Sequence, residues 1–148
     1  MTKIAIFLSL ALAGAFQAQG DTKQTKYVVV VNTANACNQS GKDAQATVKK
    51  LFLKELTQWP GGAEARPYAR EGTSDEHAAF VKLVLGMTDA ELARHWLKMK
   101  NMSGTTPPKD VDTDRMVLKH VAKHQGAFGI VTADAAKGAE GVKVMFEF

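Results

Sequence analysis

Residues 27–31 read Tyr-Val-Val-Val-Val, an unbroken run of apolar and mostly β-branched side chains. The run is too short for a typical helix and has no polar face, so it predicts a strand that is buried on both sides. Such strands are typical of sheets covered by helices on both faces. A polar loop, Asn32-Thr33-Ala34-Asn35, ends the run. The stretch therefore predicts an α/β fold.

The segments that follow alternate between helical and extended patterns. Helical spacing of apolar residues predicts four helices, over about 43–56, from 74 to Gly86, from Thr88 to the loop at 103, and over about 112–124. Thr88 and Glu91 have the spacing of a capping box, and Gly126 takes the position in which glycine usually ends a helix. Three further strands are predicted, a short edge strand at 66–69 and two more at 127–131 and 142–146. This order predicts one α/β domain with a mixed sheet flanked by helices.

Composition excludes several classes of protein. The chain has 148 residues, of which 45% are hydrophobic and 23% are charged, and it has one cysteine. These values exclude collagen-like, coiled-coil and disulfide-rich classes and suit one domain. The net charge of +4 is mild, and the basic residues are interleaved with acidic ones. Because no basic stripe or base-reading motif is visible, we expect no nucleic-acid partner.

The first 20 residues have the pattern of a secretory signal peptide. Lys3 precedes an uncharged apolar run from 4 to 16, and small residues follow at three candidate cleavage sites, Ala15, Ala18 and Gly20. A run of this length is too short to span a bilayer. We therefore expect residues 1–20 to be removed and residues 21–148 to form an exported domain without a membrane span.

Cys37 lies too far beyond the apolar run to carry a lipid anchor. A single cysteine cannot form an internal disulfide. We predict a small side chain in a loop, with an intermolecular disulfide as the alternative.

Metal and catalytic sites are not predicted. His120 and His124 are four residues apart, as in metal-binding pairs, but no third ligand is evident and Lys119 and Lys123 would oppose a cation. No set of nucleophile, base and orienting residue is visible. We expect neither enzymatic activity nor a cofactor.

The stretch 70–74 is the principal candidate ligand site. Gly72 permits close approach of a ligand to the backbone, and Thr73 and Ser74 offer hydroxyls where a helix begins, a position that favours anions. Arg70 could add a planar pair of donors, and His77 could line the same loop.

The alternative is a capped helix. In that interpretation Ser74 is the N-cap, and Asp75 and Glu76 complement the helix dipole and repel phosphate. Thr33 is a second candidate ligand residue, because it follows the carboxyl end of a buried strand. The alternative for Thr33 is an ordinary polar turn.

Four motifs resemble one known family. They are Leu51-Phe52-Leu53 with Trp59-Pro60-Gly61-Gly62, Glu71-Gly72-Thr73-Ser74 leading into Phe80, Gly104 with Pro107-Pro108, and Gly126-Ala127-Phe128-Gly129-Ile130-Val131. Together they resemble the periplasmic phosphate-binding proteins of ABC transporters, in the type 2 periplasmic binding protein superfamily. The resemblance covers residues from about Tyr27 to Met145, and its last motif is the most specific.

The resemblance implies a short, single-lobe form of a two-lobed receptor, since the glycine-rich start of the first lobe has no counterpart here. It implies a periplasmic location, phosphate or a related oxyanion as ligand, and an ABC permease or a second copy of the chain as partner. The family loop has an arginine, an acidic residue and then Gly-Ser-Gly-Thr. Glu71, Gly72 and Thr73 match it, whereas Ala69 stands at the arginine and Ser74 and Asp75 depart from it.

Two functions follow as hypotheses. The first is an exported solute-binding protein that holds an oxyanion with Arg70, Gly72, Thr73, Ser74 and Thr33. The alternative is a non-transport interaction module in which the single lobe binds a protein or envelope partner.

Overall fold

The computed structural model describes residues 24–148, and the predicted signal peptide at 1–20 lies outside them. The elements in chain order are β1 (Tyr27–Asn32), α1 (Gly41–Phe52), β2 (Arg66–Arg70), α2 (Asp75–Phe80), a π-helical turn (Val81–Leu85), α3 (Asp89–Ser103), β3 (Lys109–Val111), α4 (Asp114–Lys123), β4 (Ala127–Thr132), α5 (Ala133–Ala136) and β5 (Val142–Glu147).

The five strands form one mixed sheet in the order β3-β2-β4-β1-β5. β2 is parallel to both β3 and β4, whereas β1 is antiparallel to both β4 and β5. The predicted mixed sheet with flanking helices is confirmed. The strand directions place the carboxyl ends of β2 and β4 at the same edge of the sheet as the amino end of β1. The carboxyl end of β1 lies at the opposite edge.

The inner strand β1, which lies between β4 and β5, is buried on both faces, as its sequence predicts. Val29 and Val31 belong to a core cluster with Phe52 and Trp59 on one side of the sheet. Val28 and Val30 belong to a second cluster on the other side, packed with Val117 and Val121 of α4. An unbroken run of valines is needed because both faces of β1 are covered.

The prediction that residues 66–69 form an edge strand is wrong. β2 lies inside the sheet, because the three residues of β3 pair with it through Tyr68, Ala69 and Arg70. β3 contains a single buried residue, Val111, so no apolar pattern in its sequence predicts a strand.

Helix ends also differ from the predicted ones. α1 ends at Phe52, and Lys54 then adopts a left-handed φ of 58°. As a result, Leu56 is outside the helix and is 43% exposed. α4 begins at Asp114, with the hydroxyl of Thr113 accepting a hydrogen bond from the Met116 amide. The predicted capping box of Thr88 and Glu91 at the start of α3 is confirmed.

Gly126 does not end α4 in the left-handed conformation that its position predicts, and glycine is required there because of close packing. Its φ is not positive, and a Cβ built at this position would lie 1.7 Å from the Glu64 carbonyl oxygen. The indole of Trp59 donates to the Gly126 carbonyl at 2.9 Å. The glycine therefore permits close packing of the segment before β2 against the start of β4.

Cys37 lies in the loop between β1 and α1, and its thiol is free and buried. Across residues 24–148, no helix has the length and apolar character needed to cross a bilayer.

Candidate functional site

The turn at 71–74 joins the carboxyl end of β2 to α2, and Ser74 caps that helix. The Ser74 hydroxyl accepts a hydrogen bond from the His77 amide at 3.2 Å and donates to the Glu71 carbonyl at 2.7 Å. The capped-helix interpretation therefore describes Ser74 correctly. In this arrangement its hydroxyl orders the turn, and its donor is already used.

Arg70 is engaged in a polar network. Its Nη1 donates to Asp114 Oδ1 at 2.7 Å, and its Nη2 donates to the Asp112 carbonyl at 3.0 Å and lies 3.5 Å from Glu76 Oε1. Asp114 in turn accepts from the amide and hydroxyl of Thr132. The guanidinium is only 5% exposed. It ties the ends of β2 and β4 to the start of α4, and both of its Nη groups are already engaged.

Ala69 faces the opposite side of β2 from Arg70, because side chains alternate along a strand. Ala69, Gly72, His77 and Trp96 line a groove of about 380 Å³ between the end of β2 and α3. This volume lies within the range of small-molecule sites. The groove is the feature that sequence reasoning missed, although His77 was a candidate for lining the loop.

Gly72 and Thr73 are the open part of the turn. Both are exposed, and a Cβ added at Gly72 would contact nothing within 4 Å. His77 completes the groove wall, with its Nε2 3.4 Å from Asp89 Oδ1. Gly72 and His77 therefore line the same groove, and the exposed Thr73 lies next to Gly72 at its border.

The surroundings of the turn are acidic. Glu71, Asp75 and Glu76 flank it, and Asp89 and Asp110 line the groove. Across the same edge, burial raises the pKa of Tyr27, and the negative charges of Glu76, Asp75 and Asp114 raise it further. An anion at the turn must therefore gain enough from hydrogen bonds to overcome this repulsion.

Thr33 lies at the other edge of the sheet, because β1 is antiparallel to β4 while β2 is parallel to it. Its amide donates to the Gly141 carbonyl at 3.1 Å, and its hydroxyl lies 3.4 Å from the same oxygen. The structure thus does not bring Thr33 to the turn at 71–74. The separation of Thr33 from the turn follows from strand direction, which the sequence of a single strand does not encode.

His120 of α4 and His124, the residue after that helix, have separate contacts. The His120 ring stacks on Tyr68 with centroids 4.8 Å apart, and His124 Nδ1 lies 3.5 Å from Arg66 Nη1. Among residues 24–148, no group of three His, Cys, Asp or Glu side chains is placed to hold a metal ion.

No protein-family model matches the sequence, and no curated protein sequence is significantly similar to it. Solved structures are similar in fold. An ABC-type phosphate transport receptor from Vibrio cholerae is 19% identical with a TM-score of 0.60, over 82% of this chain and 46% of the receptor. A putative phosphate ABC transporter substrate-binding protein from Clostridium perfringens, solved with bound phosphate, is 17% identical with a TM-score of 0.60, over 82% and 45%.

A possible phosphate-binding protein from Planctomyces limnophilus is 16% identical with a TM-score of 0.58, over 82% of this chain and 41% of that one. At such identities the likeness establishes the fold alone. The chain has the fold of one lobe of these phosphate-binding proteins and spans less than half the length of each.

Proposed function

We propose that the protein is an exported, periplasmic solute-binding lobe that takes phosphate or a related small oxyanion at the turn 72–74. The observation that carries the proposal is the open Gly72 and Thr73 turn, which borders a groove with His77 in a lobe of this fold. The lobe binds without catalysis.

The turn offers three kinds of donor. The backbone at Gly72 is open to close approach, Thr73 has an exposed hydroxyl, and the His77 ring faces the groove. Ser74 holds the turn in shape through its two hydrogen bonds. Arg70 takes no part as a ligand in this proposal, because Asp114 and Glu76 already neutralise it.

The expected affinity is low. The carboxylates around the groove oppose an anion, and one lobe supplies only one wall of a cleft. We expect a dissociation constant on the order of 1 mM, equivalent to about 4 kcal/mol of binding free energy. A second copy of the chain or an ABC permease would supply the second wall, and in the permease case the lobe would deliver the ligand for transport.

Isothermal titration of the full chain with phosphate and with sulfate tests the proposal. Gly72→Ala leaves the fold unchanged, since its methyl meets no protein atom, but it fills the space through which the ligand approaches. We expect it to weaken phosphate binding at least tenfold. Asp110→Asn removes a repelling carboxylate from the groove and should tighten binding about threefold, whereas Glu140→Gln, an exposed change elsewhere, should have no effect.

The proposal fails if millimolar phosphate and sulfate produce no heat of binding. It also fails if Gly72→Ala and Asp110→Asn bind as the parent protein does, because binding would then lie outside the groove.

The second candidate function is the interaction module. It is favoured by the pairing of Arg70 with Asp114, because this pairing removes the strongest cation of the turn from anion binding. That function predicts no oxyanion binding and retention of a protein or envelope partner. Co-purification with a cross-linked partner, unaffected by Gly72→Ala, would support it over the first candidate.

A further inference from the structure

Folding collects basic side chains that are scattered in the sequence onto one surface. Arg66, Lys109, Lys119 and Lys123 are exposed there, together with the partly buried His120 and His124. We call these six residues the α4 basic patch.

Strand register and helix spacing assemble the patch. Lys109 of β3 is paired with Tyr68 of β2, and the His120 ring stacks on Tyr68. Lys119 and Lys123 are four residues apart on α4, so their side chains lie on one side of the helix. Burial lowers the pKa of His120, and the positive charges of Lys109, Lys123 and Lys119 lower it further, as expected for a ring surrounded by cations.

Among the described residues, the cations of the patch are not held in ion pairs. Arg66 contacts His124, and within the part of the chain that the structure describes, none of the four cations forms an ion pair with a carboxylate. Glu64 shares the small crevice beside Arg66 and His124, and Asp114 and Glu140 line another crevice with Lys119. The long lysine side chains keep their charged ends in water, so meeting an anionic surface costs them little desolvation.

The shape of the patch favours a charged surface over a folded protein partner. Protein interfaces depend on a few aromatic or arginine anchors seated in pockets. Here Tyr68 is already covered by His120, and Arg66 contacts His124. Met116, on the same side of α4 as Lys119 and Lys123, is 43% exposed and can enter a lipid headgroup layer. The apolar face of α4 is packed against the sheet through Val117 and Val121, so only its basic outer side can meet a bilayer, and lysines near such a surface are attracted to anionic lipid.

We propose that the α4 basic patch holds the protein against a bilayer surface rich in anionic phospholipid. Contact is peripheral and electrostatic, and it places the opposite end of β2, with the turn at 71–74, away from the bilayer. The inference is independent of oxyanion binding at that turn.

Co-sedimentation of the full chain with phosphatidylglycerol-containing vesicles and with pure phosphatidylcholine vesicles tests the inference. Each lysine near an anionic surface contributes a factor of about five to partitioning, so Lys119→Gln with Lys123→Gln should lower binding to anionic vesicles roughly 20-fold. The matched control is Lys98→Gln with Lys100→Gln, which removes the same charge from exposed positions of α3 and should lower binding less than threefold. Residues 4–16 are present in every variant, so their affinity for lipid cancels in the ratio.

Equal losses in the two double variants would show that net charge alone acts and would overturn the inference. Equal binding of the parent protein to both vesicle types would do the same. Tighter binding to duplex DNA than to vesicles, lost on changing Lys119 and Lys123, would assign the patch to nucleic acid instead.

Discussion

Arg70 is the cation of the candidate loop, yet its contacts stabilise the fold. It is almost fully buried and joins β2 to Asp114, which in turn holds Thr132 at the end of β4. Its two Nη groups hold the contacts that stabilise the buried cation, whereas its Nε has no partner among the described atoms. The residue therefore fixes the edge of the sheet on which the turn stands.

Arg70→Ala should destabilise the protein strongly, because it leaves the largely buried Asp114 carboxylate without its cation. Breaking a buried pair from one side costs about 3 kcal/mol, measurable as a lower midpoint of urea unfolding. The exposed Arg94→Ala should change the free energy of unfolding by less than about 0.5 kcal/mol, and adding Asp114→Asn to Arg70→Ala should recover part of the loss. Normal stability with loss of phosphate binding would instead make Arg70 a ligand residue.

Helices and strands differ in how much of their position the sequence encodes. The valines of β1 and the capping box of α3 are local patterns with one structural solution, so both were predictable. β3 has no such pattern, since pairing with β2 orders it. The α4 basic patch was not predictable either, because Arg66 and Lys109 come from strands more than forty residues apart in sequence.

The capping box of α3 should make the stability of the protein pH-dependent. Hydrogen bonds from the amide and hydroxyl of Thr88 lower the pKa of Glu91 below its ordinary 4.5. A lowered carboxyl pKa contributes stability above the ordinary value, and this contribution is lost as the pH falls through the folded-state value. Glu91→Gln should therefore lower the urea midpoint at neutral pH, and its difference from the parent should shrink as the pH falls below 4.5.

Thr88→Val is the control for this dependence. It removes the hydroxyl that accepts from the Glu91 amide, a contact that does not require ionised Glu91, so most of its destabilisation should persist in acid. A difference for Glu91→Gln that stays constant with pH would contradict the role given to the carboxylate.

For the molecule as a whole, the sequence predicts most of the fold but only part of the candidate site. Local apolar patterns determine most elements, and the family resemblance supplies the arrangement of a single lobe, which the solved structures share. The site depends on strand direction and on the hydrogen bonds and ion pairs that its side chains form within the protein. Strand direction places Thr33 at the other edge of the sheet from the turn at 71–74. Arg70 is paired with Asp114, and a groove lies beside Ala69.

The most direct test of the central claim is a titration of the isotope-labelled full chain with phosphate, followed by amide resonances in two-dimensional NMR. The account predicts saturable shifts at Gly72, Thr73 and His77 at millimolar phosphate, with a chloride titration as the control for ionic strength. It predicts no matching shifts at Lys119 and Lys123. An unchanged spectrum around the turn, or shifts confined to α4, would contradict an oxyanion site at residues 72–74.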